Sequence, residues 1–284
     1  MRKYLSMLLA ASFTIGSGSA VAEKNSDQSD LENYFSKRFP GISAESMKNG
    51  AYALDESLYM QWENIEEFPP YEDFVAKGEE LYNKPFANGK SFASCFGDDV
   101  SAIRVKYPYW DTEQSTVVTL EGDINKCLKD NGEKTYKWKT GNMAYVSGYI
   151  AFEGRGKKVN VVVPDDPKAQ AAYEAGKKFF YTKRGQLNLS CADCHVYQAG
   201  MYVRSEILSP VIGHTTHFPV FRRKWQLASK NEDGLGTLHR RYGGCNKQVR
   251  ARPFKPQGEE YRNLEFFHAS MSNGLELNGP GYRK

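Results

Sequence analysis

The chain has 284 residues, 40% of them hydrophobic and 25% charged, which are values of a folded globular protein and exclude a disordered, collagen-like or multi-spanning membrane chain. Beyond the first few turns' worth of sequence no apolar run approaches the ~18 residues needed to cross a bilayer. The net charge of +4 is too mild to argue for nucleic acid, and it averages unlike parts: residues 23–200 carry 22 basic and 27 acidic side chains, residues 201–284 carry 14 and 7.

Residues 1–22 read as a signal peptide for export: Arg2 and Lys3, an apolar stretch from Tyr4 to Ile15, then small residues ending in Ala20-x-Ala22. Export places the rest in an oxidising compartment, where disulfides persist. Residues 23–30 are polar and read as a loose arm. Apolar spacing predicts helices over 31–39, over 46–60 and, after the break at Phe68-Pro69-Pro70, over 71–83. Strand patterning is confined to Ser115–Leu120, and aromatic-rich Met143–Gly154 reads as helix. A linker over Val161–Pro167 precedes a helix over 168–181, and Arg262–Gly274 reads as a closing helix. The class expected is mainly α with long loops.

A weak internal repeat runs through these elements. Gly78-Glu79-Glu80-Leu81-Tyr82 leads to Phe92-Ala93-Ser94-Cys95-Phe96, and Gly176-Lys177-Lys178-Phe179-Phe180 leads to Cys191-Ala192-Asp193-Cys194-His195. Each pairing ends in a glycine-closed aromatic helix, so two related tandem modules are expected, over residues 23–160 and 161–284.

Cys191-Ala192-Asp193-Cys194-His195 matches the C-x-x-C-H haem attachment pattern. Two thiols bond the haem vinyl groups as thioethers, and the adjacent imidazole takes the iron. A redox dithiol would want a βαβ context, and a structural zinc would want soft ligands beyond Cys245. The first module lacks the first cysteine and the histidine at the matching place, so no haem is expected there. Cys95 then has a partner in Cys127 of the same module; two unpaired thiols are the other reading.

Of the five cysteines Cys245 is left over. From Arg240 to Lys255 there are six basic residues and no acidic one. Such cations stabilise a thiolate and draw anions, while Gly243 and Gly244 keep the approach open and allow unusual backbone dihedrals. A basic surface loop with a merely buried or intermolecularly paired cysteine is the plainer reading. The second axial ligand stays open among His214, His217, His239, His268, Met201, Met271 and Cys245.

Together these residues resemble the SoxA family, the catalytic cytochrome subunit of the SoxAX complex in bacterial thiosulfate oxidation. The resemblance spans essentially the whole chain after the signal and rests on Cys191–His195 and Arg241-x-x-x-Cys245. Some members carry two haems; this chain departs from them at Phe92 and Phe96 and resembles the single-haem type, two cytochrome c-like modules of which the first has lost its haem. The resemblance implies one covalent haem c on Cys191 and Cys194, with iron held by His195 and by Cys245 as a persulfide. It implies that Cys245 is catalytic and that Arg241 binds thiosulfate; Lys247 and Arg250 are added as helpers by charge alone. The implied protein is a periplasmic L-cysteine S-thiosulfotransferase. It works with the SoxX cytochrome, loads thiosulfate onto a cysteine of the SoxYZ carrier and passes two electrons towards cytochrome c. The competing readings are a plain electron-transfer cytochrome, with Met201 or Met271 as distal ligand, and a non-catalytic haem sensor or carrier-binding module.

Overall fold

The structure, a computed structural model, describes residues 24–203, 206–231 and 233–283. The export signal over 1–22 lies outside the described residues. Helix α1 (Ser26–Arg38) opens with the Asn25 side chain accepting the Gln28 N–H, so most of the arm expected over 23–30 is helical. Its polar residues have tertiary partners: Asp27 accepts hydrogen bonds from Tyr173 Oη and Lys177 Nζ at 2.8 and 2.7 Å.

The helix expected over 46–60 is divided. A 3-10 segment, Glu45–Leu54, bends at Gly50, and α2 (Glu56–Glu66) restarts where the Asp55 side chain caps Leu58 N–H. Gly50 has φ +64°, and a β-carbon there would meet Arg283 Nη2 at 2.7 Å. Helix α3 (Glu72–Asn83) follows the predicted bounds closely. After the short turn α4 (Ala93–Phe96), strands β1 (Tyr109–Asp111) and β2 (Thr116–Val118) form an antiparallel hairpin with Trp110 opposite Val117. Helix α5 (Leu120–Asp130), capped by Thr119, was not anticipated; α6 (Asn142–Glu153) was.

Helix α7 (Pro167–Tyr181) starts on an Asp166 cap with proline at its first position, the one place in a helix where a missing N–H costs nothing. The hairpin β3 (Tyr202–Val203) and β4 (Glu206–Ile207) comes next, then β5 (Val220–Arg222), α8 (Arg223–Ala228) and β6 (Leu235–Gly236). Helices α9 (Leu238–Gln248) and α10 (Glu259–Ser270) precede β7 (Gly281–Arg283). Strand β5 is central in a small sheet, antiparallel to β6 and parallel to β7. The protein is therefore mainly α. Among the described residues no helix is long and apolar enough to cross a membrane.

Two apolar cores are built alike. In one, α3 crosses α6 over Tyr82, Phe92, Ile124, Met143, Val146 and Ile150. In the other, α7 crosses α10 over Phe35, Tyr173, Phe180, Leu264, Phe266 and Phe267. Each crossing turns on a glycine that lets two backbones touch. A β-carbon on Gly78 would sit 2.1 Å from the Tyr145 carbonyl oxygen, and one on Gly176 would sit 1.9 Å from that of Asn263.

The interior of the first core is occupied by rings. Phe92 is fully buried, stacked on Tyr82 at 5.7 Å and edge-on to Phe86 at 5.2 Å. Beside it a disulfide joins Cys95 to Cys127, tying α4 to α5. Closing that 32-residue separation is worth about 3–4 kcal/mol in the chain-entropy account. A Cys95→Ser, Cys127→Ser double variant is expected to lose about that much stability in urea unfolding of the otherwise intact protein, with the C-x-x-C-H segment unaffected.

Candidate functional site

The segment after α7 folds into a π-helical turn, Asp193–Tyr197. Ser190 and Asp193 hold its start reciprocally: Ser190 N–H and Oγ–H donate to Asp193 Oδ2, and Asp193 N–H donates to Ser190 Oγ. This pairing plays the part of a capping box and orders the chain through Cys191, Cys194 and His195. The His195 ring is buried and donates from Nδ1 to the Ser209 carbonyl at 2.8 Å. A carbonyl can only accept, so Nε2 carries the lone pair, which is the tautomer of a metal-ligating histidine with its outer hydrogen bond in place. Burial pushes His195 down to about 4, so the ring is neutral near neutral pH. Cys191 and Cys194 are free half-buried thiols; burial, with Cys245 nearby, pushes Cys191 up to about 12 and raises Cys194.

Helix α9 brings Cys245 to these groups. The basic segment is not a loop: Leu238 and Tyr242 anchor one face of α9 in the second core. That burial offsets the roughly 1 kcal/mol that each of Gly243 and Gly244 costs a helix. Both glycines are helical rather than in unusual dihedrals, and no atom comes closer than 3.9 Å to a β-carbon placed on either. The approach is open, as expected, but because no side chain stands there. Arg241 and Cys245, four residues apart, share one helix face.

That face looks onto a cavity of about 670 Å³, with a narrower cleft beside it. Cys194, His195 and Arg241 line both spaces, and Cys191 and Cys245 line the cleft. Cofactor cavities span about 300–1,000 Å³ with mostly apolar walls; here Leu189, Ile207, Leu208, Phe218 and Val220 supply the apolar part. Volume, thiol spacing and the His195 tautomer together fit a covalently attached haem, held by Cys191 and Cys194 with His195 on iron.

The other ligand candidates differ in their settings; His214 lines both spaces and His268 lines the cleft. Met201 is 55% exposed, Met271 is buried in the second core, and neither lines the cavity. His239 faces Glu265 at 3.0 Å and accepts from Gln257 N–H. His214 and His268 share a hydrogen bond at 3.1 Å, and Tyr242 Oη lies 2.9 Å from the other nitrogen of His268. His217 lines the cavity with its Nδ1 unpartnered, and Cys245 presents a free thiol.

Lys247 and Arg250 are exposed and stand outside both sets of walls. The site's further charges come from elsewhere. Arg222 and Lys224, at the corner of β5 and α8, both pair with Glu206 of β4, whose Oε2 lies 3.9 Å from Arg241 Nη2. Nothing but the basic excess after residue 200 hints at them in the sequence.

The chain is also similar to known proteins. Residues 77–159 match the SoxA/TsdA cytochrome c domain family. The L-cysteine S-thiosulfotransferase subunit SoxA of Chlorobaculum tepidum is 54% identical over 92% of this chain and 88% of its own. The protein of the same name from Allochromatium vinosum is 50% identical over 98% and 96%. A crystal structure of SoxXA from P. pantotrophus superposes with a TM-score of 0.69 at 30% identity, covering 81% of this chain and 84% of that one.

Proposed function

The chain belongs to the SoxA family, and from that premise we propose that it is a periplasmic L-cysteine S-thiosulfotransferase that joins thiosulfate oxidatively to a cysteine of the SoxYZ carrier. The observation that carries the reading is Arg241 and Cys245 on one open helix face beside the haem-attachment turn. One haem c would be held by Cys191 and Cys194, with His195 and the sulfur of Cys245 as the groups that would bind its iron; it would supply a one-electron acceptor beside the reacting sulfur. The first module is read as haem-free, because Phe92, Phe86 and Tyr82 occupy its interior and Cys95 is spent in a disulfide.

In this reading Arg241 binds the sulfonate oxygens through its fork of N–H donors. Cys245 reacts as a persulfide. Its terminal sulfur forms a bond to the sulfane sulfur of thiosulfate, and two electrons leave for the SoxX partner and cytochrome c. The carrier's thiolate enters over Gly243 and Gly244, attacks the same sulfane sulfur and takes the S-sulfonate, which restores the persulfide. The sum is thiosulfate plus carrier thiol giving carrier S-thiosulfonate, one proton and two electrons. Export by the segment over 1–22 places these steps in the periplasm.

The test is incubation of the holoprotein with SoxX, SoxYZ, thiosulfate and oxidised cytochrome c. The carrier is expected to gain the mass of one thiosulfate; an unchanged carrier mass overturns the reading. Arg241→Leu removes charge-assisted hydrogen bonds worth about 1.5–3 kcal/mol, so KM for thiosulfate is expected to rise about ten- to hundredfold. An unchanged rate at limiting thiosulfate removes Arg241 from the site.

A further inference from the structure

Helix α9 is keyed to α10 by two buried polar pairs at matching steps. His239 and Tyr242 lie one turn apart on α9, as do Glu265 and His268 on α10. His239 Nε2 stands 3.0 Å from Glu265 Oε2, and Tyr242 Oη stands 2.9 Å from His268 Nδ1. The second pair goes further. His268 Nε2 is 3.1 Å from His214 Nδ1, and the His214 ring packs on that of His195 with centroids 4.3 Å apart. A row of buried groups thus joins the helix that bears Cys245 to the histidine of the C-x-x-C-H turn.

The row has a direction. Burial holds the Tyr242 phenol far above its ordinary value, so it keeps its proton, and pushes His268 down to about 3, so that ring is neutral. Among the described residues His268 Nδ1 is the hydrogen-bond partner of Tyr242 Oη, and a buried hydroxyl proton with no acceptor is costly. Tyr242 therefore donates to Nδ1. That leaves the His268 proton on Nε2, which donates to His214 Nδ1.

We propose that Tyr242, His268 and His214 are positioning residues that set the aim of Cys245 relative to His195. Cys245 needs such a fixture, because Gly243 and Gly244 before it have no side chains to pack, and a β-carbon added to either would meet nothing nearer than 3.9 Å. The last side chain anchored ahead of the sulfur is that of Tyr242. Its ring alone would let α9 slide or turn, since apolar contact is non-directional, whereas a hydrogen bond weakens steeply as its angle closes. Apolar side chains would fill the same places without the cost of burying polar groups, so what the row adds is orientation. Tyr242, His268 and His214 all line the cleft; they belong to the walls around the haem site and leave its space clear. Leu238 and the His239–Glu265 pair hold α9 separately, which lets the row be cut without unseating the helix.

That the aimed sulfur loads thiosulfate rests on the function proposed above; the positioning does not, and its readout is the EPR spectrum of the oxidised holoprotein. Tyr242→Phe keeps the ring and removes the donor. It is expected to add a second set of g values and to slow carrier loading about ten- to a hundredfold, the scale of a small misplacement of reacting groups. His214→Phe is expected to do the same. Effects of separate origin multiply in a double variant, whereas a single row cut twice loses no more than a row cut once, so the double variant is expected to match the slower single one. His268→Asn, which keeps an acceptor for Tyr242 and loses the link to His214, is expected to show the same added species. Multiplied effects overturn the row, as does a fallen urea midpoint with g values unchanged in every variant. Spectra equal to the wild type's, in a protein that still loads its carrier, overturn the positioning and leave the function standing. A second species in variants of a protein that never modifies its carrier keeps the positioning and overturns the function.

Discussion

Cys245→Ala is expected to keep its covalent haem and lose conjugation by at least about a thousandfold, the scale on which removal of an enzyme's nucleophile acts. Two parts of the structure separate these outcomes. Cys191, Cys194 and His195 sit on a turn whose start is held by Ser190 and Asp193 of the same segment. Helix α9 itself is anchored by Leu238 and Tyr242, not by Cys245, which is only half-buried. Intact-protein mass reads the retained haem, carrier mass reads the lost product, and the absorption and EPR spectra read the lost sulfur ligand. Near-normal turnover of the variant on SoxYZ sinks the catalytic role of Cys245. His217, with its unpartnered Nδ1 in the cavity wall, is then the distal ligand to examine.

Gly176→Ala is expected to be the most damaging single methyl group in the second core. Its β-carbon would lie 1.9 Å from the Asn263 carbonyl oxygen, 2.6 Å from the carbonyl carbon and 3.1 Å from the Phe267 side chain. Two of those three neighbours are backbone, so no rotamer change relieves the overlap; α7 and α10 must part along their whole contact. Overpacking a core costs about 1–3 kcal/mol where side chains can adjust, and about 3 kcal/mol or more is expected here. Urea unfolding against Gly122→Ala is the check. Gly122 is also helical, but its nearest neighbour is the Thr119 hydroxyl at 3.4 Å, and the substitution there is expected to be neutral or mildly stabilising. Equal midpoints for the two variants would show that the helices do not close on Gly176.

How much of this was legible in the sequence varies by element. Helices α3 and α7 announce themselves through apolar spacing, and α7 adds Asp166 and Pro167 at its start. The attachment turn is legible because its chemistry needs adjacent residues. Helix α9 is not, since His-Arg-Arg-Tyr-Gly-Gly-Cys has poor helix propensity and is held by tertiary burial. Helix α1 is legible over 31–38, but its first turn is not, for a related reason: the polar residues there are satisfied by Tyr173 and Lys177 of α7, about 150 residues away. The same distance effect hid part of the site. Arg241 and Cys245 are near in sequence, whereas Glu206, Arg222 and Lys224 meet them through a hairpin and a strand corner that no local pattern reveals. Charge counting chose Lys247 and Arg250 in their place, two exposed side chains, one near the end of α9 and one in the turn after it.

The paired glycine crossings also set the tempo of folding. Gly78 meets Tyr145 across 67 residues of chain and Gly176 meets Asn263 across 87, so neither core can close on a local nucleus. Each must wait for a long loop to bring its second helix home, and the loop entropy is spent before the contact repays it. In the second core that wait brackets the C-x-x-C-H turn and α9, which lie inside the loop being closed. Cys191 and Cys194 are therefore presented on an open, unclamped chain for as long as α10 is undocked. On the function proposed above, attachment of a haem to these two thiols is expected to be easiest before α10 docks.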